Sequence, residues 1–368
     1  MQVHERESIA VDGKPLTRPA LDSALHEVQA AAASVGHGGS ECGSLTSFEA
    51  LTAAGFLTFS RSVDIAVMEV GVGGLHDATN VISDPAVCAI TSVSLDHQDL
   101  LGDNIAEIAR VKAGIFKSAC PAVVGPVDPE AARAITEYAE HVGAGSLTWT
   151  RPATASDDRA GWASYRGLSF PLPLKGQFQF SNVAVALDVL HVLRSSSTVN
   201  CSDEQIVEGV RSVVWPGRLE WVPWPLSCHS LSSGPSHVAS ELSRTRVLVD
   251  GAHNLAAAVS LRNFIDFELA DKKRKMLWPC RQPVAWIIAM SAGKDAAGIL
   301  QALLRRGDSV FFVPFEVILS LSLRNQLPRA ILSLHFVLPI NKMLCACGYV
   351  CARTLPRSHR SPCRGCVR

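Results

Sequence analysis

Asp64-Ile-Ala-Val-Met-Glu-Val70, running directly into Gly71-Val-Gly-Gly74, is a nearly continuous apolar stretch that ends in glycines. An unbroken apolar run predicts a strand buried on both faces, as in a parallel sheet covered by helices. Residues 86–93 repeat the pattern and 122–124 give a shorter third run. Between the last two lies a predicted helix over 104–117, opened by Asn104 with Glu107 three residues later, the spacing of a capping box. Strands alternating with helices predict an α/β, doubly wound domain.

Upstream, residues 8–11 read as a short strand and Asp12-Gly13 as a tight turn. A helix is expected over 18–34, with Leu21, Leu25 and Val28 on one face, and a second over 47–61. The glycine-rich stretch 36–43 between them reads as a loop. Downstream, 126–170 is irregular and 182–194 is a helix with Val185, Leu187, Val189, Leu190 and Leu193 turned inward. A second α/β unit begins after Trp215-Pro216-Gly217-Arg218. Its strands are expected at 246–249, 284–289 and 309–313, and its helices near 256–269 and 296–305. The serine-rich stretch 227–243 and the basic insert 272–283 read as loops.

Composition agrees with two domains. The chain has 368 residues, 48% of them hydrophobic and only 18% charged, enough for a sizeable core. Lys plus Arg equals Asp plus Glu, 34 against 34, which argues against binding to nucleic acid through overall positive charge. The apolar C-terminal third reaches only the charge-free run 330–341, short of the roughly 18 residues a membrane span needs. The first ten residues, with two glutamates and no apolar run, do not read as a signal or transit peptide. Eleven cysteines, odd in number and scattered, do not make a disulfide framework. Five of them lie in the last 24 residues, where Cys363-x-x-Cys366 has zinc-ligand spacing but no standard partner pair. No metal site is expected there. A cytoplasmic protein is expected, with a mitochondrial pool left open.

Polar residues at strand ends carry the chemistry, because ligands of open parallel sheets bind outside the carboxyl ends of strands. Glu69 sits inside the first apolar run, just before its last residue Val70 and the glycines, and Asp96-His97 follows the second; an acid and an imidazole there suit a divalent cation or proton transfer. Either alone could as well be a local pair or a loop cap. Lys112 tips the balance. It falls on the stripe Ile105, Ile108, Ala109, Lys112, where a lysine must snorkel, find a partner or do chemistry. Burial favours the neutral amine, the nucleophilic form that can be carbamylated. Gly71-x-Gly73-Gly74 lacks the G-x-G-x-x-G spacing, so a dinucleotide loop is weakly supported. Val249-Asp-Gly-Ala-His-Asn254, ending a strand and opening a helix, is a better nucleotide or phosphate position.

Six ordered motifs go further: EVGVGGLHDATNV (69–81), SLDHQDLLGD (94–103), RVKAGIFK (110–117), LKGQFQFSN (174–182), WPGRLE (215–220) and VDGAHN (249–254). Over about residues 3–315 the chain resembles the folate branch of the Mur ligases, dihydrofolate synthase and folylpolyglutamate synthase. Ser47–Phe56, the SLDH form and VKAGIFK look more like a fungal-type dihydrofolate synthase. The resemblance implies a Mur-ligase-like central domain over 1–215, a smaller Rossmann-like domain over 216–315 and a divergent tail over 316–368. It implies an ATP- and Mg2+-dependent ligase that joins L-glutamate to dihydropteroate, or to a reduced folate, through an acyl phosphate. Glu69, His97 and carbamylated Lys112 would hold magnesium. Asn182, Arg218 and Asp250 would contact ATP, with His253 beside them. Thr46, Ser47, Phe48 and Glu49, with His76, Asp77 and Ala78, would line the pterin site. A monomer without membrane or nucleic-acid partners is expected.

Three departures bear on activity. No G-x-x-x-x-G-K-[ST] phosphate loop occurs; Gly13-Lys14 and Gly293-Lys294 are followed by Pro and Asp and lack the first glycine. Where the family has Gly-Gly-Arg-x-Asp, this chain reads Gly74-Leu75-His76-Asp77. Beyond Phe315 the motifs stop, and the tail reads like translation in another frame, as in a fragment or an altered gene product.

Overall fold

The computed structural model describes residues 5–36, 45–223, 246–276, 283–291 and 294–313. Most of the loops expected at 36–43, 227–243 and 272–283, and the whole tail, lie outside them. Of the described residues, those within Val3–Thr150 and Val185–Asn200 form one compact unit. Those within Arg151–Ala184 and Cys201–Leu344 form the other.

The first unit opens with a small hairpin, β1 (Ala10–Val11) and β2 (Lys14–Pro15), turned by Asp12 and Gly13, both at positive φ. Two helices follow, α1 (Arg18–Gly36) and α2 (Ser47–Ser62). They bury Leu21, Ala24 and Ala54 together with Ile9 and Leu16. A bidentate Arg61–Glu27 pair spans them at the surface.

The sheet of this unit is β3 (Cys88–Ile90), β4 (Ala122–Val124) and β5 (Leu147–Trp149), all parallel and in sequence order. Two-residue periodicity sorts its side chains. Cys88, Ile90, Ala122 and Val124 face Ile108, Ala109 and Ala113 of α4 (Ile105–Ala113) and Ala131, Ala134 and Ile135 of α5 (Pro129–Val142). A four-residue helix, α3 (Gln98–Leu101), precedes α4. Val87, Ala89 and Val123 face the other way, onto Val185, Val189 and Leu193 of α6 (Phe178–Ser195). Helices on both faces of a parallel sheet are the expected α/β arrangement. At the end of β5, the Thr150 hydroxyl donates to the buried Asp188 carboxylate of α6 at 2.7 Å.

The opening stretch 64–70 departs from expectation. Among the described residues, no ladder includes 66–70, and Val67 is 64% exposed. An apolar run becomes a strand only when a neighbour joins it in a ladder, and no described ladder includes these residues. The helix over 104–117 also ends early, at Ala113, because Gly114 caps it. Its start is a partial capping box. Asn104 accepts the Glu107 N–H, but Glu107 reaches one residue further back, to the Asp103 N–H.

Gly125, just after β4, has no room for a side chain. A Cβ there would lie 2.2 Å from the Thr91 carbonyl oxygen and 3.1 Å from Val185. Gly125→Ala is therefore expected to cost the first unit about 2–3 kcal/mol or more, read by urea unfolding. A loss below about 0.5 kcal/mol, the range of neutral surface changes, would show that the carbonyl yields freely.

The second unit begins with an antiparallel meander, β6 (Thr154–Ala155), β7 (Trp162–Tyr165) and β8 (Leu168–Pro171), against which α7 (Asp203–Arg211) packs. Strand β9 (Glu220–Pro223) pairs antiparallel with β10 (Arg246–Val249). Helix α8 (Leu255–Met276) follows, then β11 (Ala285–Ile288), α9 (Ala296–Leu303) and β12 (Ser309–Phe312). β11 and β12 are parallel, with Trp286 and Ile288 buried among Ala258, Leu261, Ile299 and Leu303. Among the described residues, β10 is thus joined to β9 and not to β11. No described helix is long and apolar enough to cross a membrane, and none of Cys88, Cys120 and Cys201 is in a disulfide.

Candidate active site

In the first unit, Gly71–Leu75 lies on the last turn of α4, and packing explains the glycines. A Cβ on Gly74 would sit 2.8 Å from the Lys112 carbonyl oxygen and 2.9 Å from that of Val111. A Cβ on Gly73, whose φ is +73°, would sit 2.7 Å from Leu101. Leu75 N–H donates to the Val111 carbonyl at 2.9 Å. These glycines serve close backbone approach between the loop and the end of α4.

Lys112 is 4% exposed, on the stripe with Ile108 and Ala109 that the spacing predicts. Glu69 is exposed, just before the glycines. His97 sits between β3 and α3 with φ +51°, an uncommon value for a residue with a side chain. Asp96 supports it: its carboxylate accepts the His97 backbone N–H at 2.9 Å and lies 3.9 Å from Nε2. Backbone held in a sparsely populated region is a feature of ligand sites. Among the described residues, no group of three or more His, Cys, Asp and Glu could hold a metal. Two such residues plus a lysine is the expected set, and a lysine can offer magnesium an oxygen only once carbamylated.

The residues expected at the pterin site divide by role. Thr46 and Glu49 form a full capping box on α2, and Thr46 donations hold the Glu49 carboxyl below its ordinary value, the backbone N–H contributing most. Ser47 is the first residue of α2. Phe48 is 44% exposed, and it approaches Asp77 across Gly71, where a Cβ would lie 2.6 Å from the ring and 3.0 Å from the carboxylate. Asp77 accepts the Val72 N–H, the Thr79 N–H and the Thr79 hydroxyl, so it fixes the loop. His76 is exposed and Ala78 half-buried beside it.

In the second unit, Arg218 projects from a tight turn. Gly217 and Leu219 flank it at φ +78° and +46°. A left-handed leucine is strained by about 1–2 kcal/mol. Leu219 is held there by 3% exposure in the core and by its N–H, which donates to Asp250 at 3.0 Å. The second Asp250 oxygen accepts the Ala252 N–H at 2.9 Å. Burial raises the Asp250 carboxyl above its ordinary value, opposed by these two donors and by Arg218 and His253. Glu220 accepts the Gly217 N–H at 2.7 Å, His253 Nδ1 meets the Gly251 carbonyl at 2.9 Å, and Asn254 caps α8. Asn182, near the start of α6, donates to the buried Gln179 at 3.0 Å. Residue types alone did not reveal Glu220, Leu219 or Gln179. All three lie inside the quoted motifs.

Comparison with known proteins identifies the family. Residues 12–190 match the Mur ligase middle domain and 237–322 match the Dihydrofolate synthetase, C-terminal domain, which reaches past Phe315. The chain is 31% identical to folylpolyglutamate synthase of Lacticaseibacillus casei, covering 85% of this chain and 68% of that protein. It is 30% identical to dihydrofolate synthetase of Saccharomyces cerevisiae with the same coverage. The chain belongs to the dihydrofolate synthetase/folylpolyglutamate synthase family. A probable dihydrofolate synthetase of Schizosaccharomyces pombe is 33% identical, and the chain spans only 60% of its length. Among solved structures, an FPGS–AMPPCP–folate complex superposes with TM-score 0.65 at 30% identity, covering 84% of this chain and 70% of that one. The E. coli FolC complex with DHPP and ADP gives 0.61 at 30% identity, covering 82% and 64%. The family's two-domain α/β architecture, a Mur-ligase-like domain followed by a smaller α/β domain, is therefore the architecture of this chain.

Proposed function

We propose that this chain carries most of the site of an ATP-dependent ligase that joins L-glutamate to the carboxylate of dihydropteroate. The observation that carries the reading is Lys112, buried on an apolar helical stripe beside the glycine loop that follows Glu69. Glu69, His97 and carbamylated Lys112 would hold magnesium, which when bound neutralises phosphate charge. Arg218, presented by the Asp250-braced turn, and Asn182 would meet ATP, with His253 alongside. Phe48, with Thr46, Ser47, Glu49, His76, Asp77 and Ala78, would receive the pterin. Similarity to fungal dihydrofolate synthetases supports dihydropteroate as substrate. Similarity to the L. casei folylpolyglutamate synthase supports a reduced folate as the second reading.

A third reading, an impaired homologue, is tested through the phosphate loop, since these 368 residues hold no G-x-x-x-x-G-K-[ST] segment. Such a loop supplies the backbone N–H groups and lysine that cradle the β- and γ-phosphates. The purified 368-residue polypeptide is expected to bind Mg-ATP weakly and to release no ADP with dihydropteroate and glutamate. The same polypeptide with a P-loop segment fused ahead of Glu5 is expected to form the glutamylated product. Robust turnover by the unfused polypeptide would contradict the first expectation. Inactivity of a folded, ATP-binding fusion would favour the impaired homologue.

A further inference from the structure

Asn80 and Lys117 belong to the family motifs but have no place in the site described above. Asn80 uses both N–H groups of one carboxamide, donating to the Leu75 carbonyl at 2.9 Å and to the Gly114 carbonyl at 3.0 Å. Its oxygen accepts from the Lys117 ammonium at 2.9 Å, and Lys117 also reaches the Asn80 backbone carbonyl at 3.3 Å. The ammonium has no lone pair to offer, so it fixes which end of the amide faces which partner. One side chain thereby joins the glycine loop to the turn that ends α4.

That junction has little slack. A Cβ on Gly114 would sit 2.4 Å from the Leu75 Cβ, and one on Gly74 would meet the Lys112 carbonyl. Glu69 lies two residues before Gly71, and Lys112 two residues before Gly114. The two elements that Asn80 fastens are therefore the two that carry Glu69 and Lys112.

We propose that Asn80 and Lys117 form a positioning clamp for the divalent-cation site, setting the loop after Glu69 against the helix end that carries Lys112. The inference rests on the reading that Glu69, His97 and Lys112 hold the cation. Asn80→Asp keeps the shape and pairs with Lys117, but it presents a carboxylate to two carbonyl oxygens and cannot donate to them. Lys117→Met keeps both Asn80 donors but frees the amide to flip.

The test is Mn2+ binding by the full 368-residue chain, followed by electron paramagnetic resonance at a temperature where every variant is folded. Asn80→Asp and Lys117→Met are each expected to weaken Mn2+ binding by about 10–100-fold, the range that follows when the support orienting a metal's ligands is lost. Lys117→Arg, which keeps a donor, is expected to restore binding to within about threefold of wild type. A purely structural role would lower the melting temperature and leave the affinity of the folded protein unchanged. Lys112→Met and Glu69→Gln separate the two possible failures. If these variants bind Mn2+ as well as wild type does, the cation-site reading fails and the clamp with it. If they lose binding while Asn80→Asp and Lys117→Met stay within about twofold of wild type, the clamp alone is overturned. Should Asn80→Asp not fold, the contrast between Lys117→Met and Lys117→Arg decides.

Discussion

Lys112→Met should leave a folded protein that no longer takes up carbon dioxide at this position and holds divalent cations far more weakly. Methionine keeps the length and packing of the lysine stem on a stripe where Ile108 and Ala109 are fully buried. What it removes is the amine, and with it the carbamate oxygens magnesium would require. Loss of a direct ligand should exceed the roughly 10–100-fold that follows loss of an outer-sphere partner. With 13C-bicarbonate, the wild-type chain should give a carbamate resonance that is absent from the variant. The melting temperature should change little, because no apolar volume is lost. Unchanged Mn2+ affinity in Lys112→Met would make the lysine a packing residue only.

Asp250→Ala should have the largest effect in the second unit. It removes the acceptor for the Leu219 and Ala252 N–H groups at once. Each buried donor left without a partner costs about 1–3 kcal/mol. Leu219 would also lose the hydrogen bond that opposes its left-handed strain. A loss of about 2–4 kcal/mol is expected in urea unfolding, together with loss of nucleotide binding through Arg218 in the P-loop fusion. The pH dependence has a definite sign. Burial raises the Asp250 carboxyl, so the folded state keeps this proton to higher pH than the unfolded chain does. Its contribution to stability is therefore complete below the ordinary aspartate range and falls as pH rises through the raised value. The stability gap between wild type and Asp250→Ala should narrow over that interval. A gap that widens with pH would mean the carboxyl is held down by its donors and Arg218.

The sequence was most legible where periodicity alone determines structure. The stripe of Ile108, Ala109 and Lys112 is buried as spacing required, and β10 occupies the residues read as a strand. Residues 64–70 misled on both counts: only Val70 among them is buried, and a strand needs a neighbour for its backbone groups that no described ladder supplies to 66–70. The partner of β10 was equally hidden, since pairing between β9 and β10 depends on contacts remote in sequence. Within the site, residue type pointed to Glu69, His97 and Lys112, but it did not separate residues that bind from residues that brace. Asp77 reads as a ligand by type, and its carboxylate also takes three donors from its own loop, so it braces the wall it would line. Asn80 drew no notice as an amide in a loop, and its two donations to separate elements become visible only in three dimensions.

The most direct test is a crystal structure of the 368-residue chain grown with Mn2+ and bicarbonate, read by anomalous scattering. The expected result is a manganese peak bound by Glu69, His97 and a carbamylated Lys112, with Asn80 still bridging Leu75 and Gly114. An unmodified Lys112 with no manganese among these three residues would contradict the site assigned to this chain.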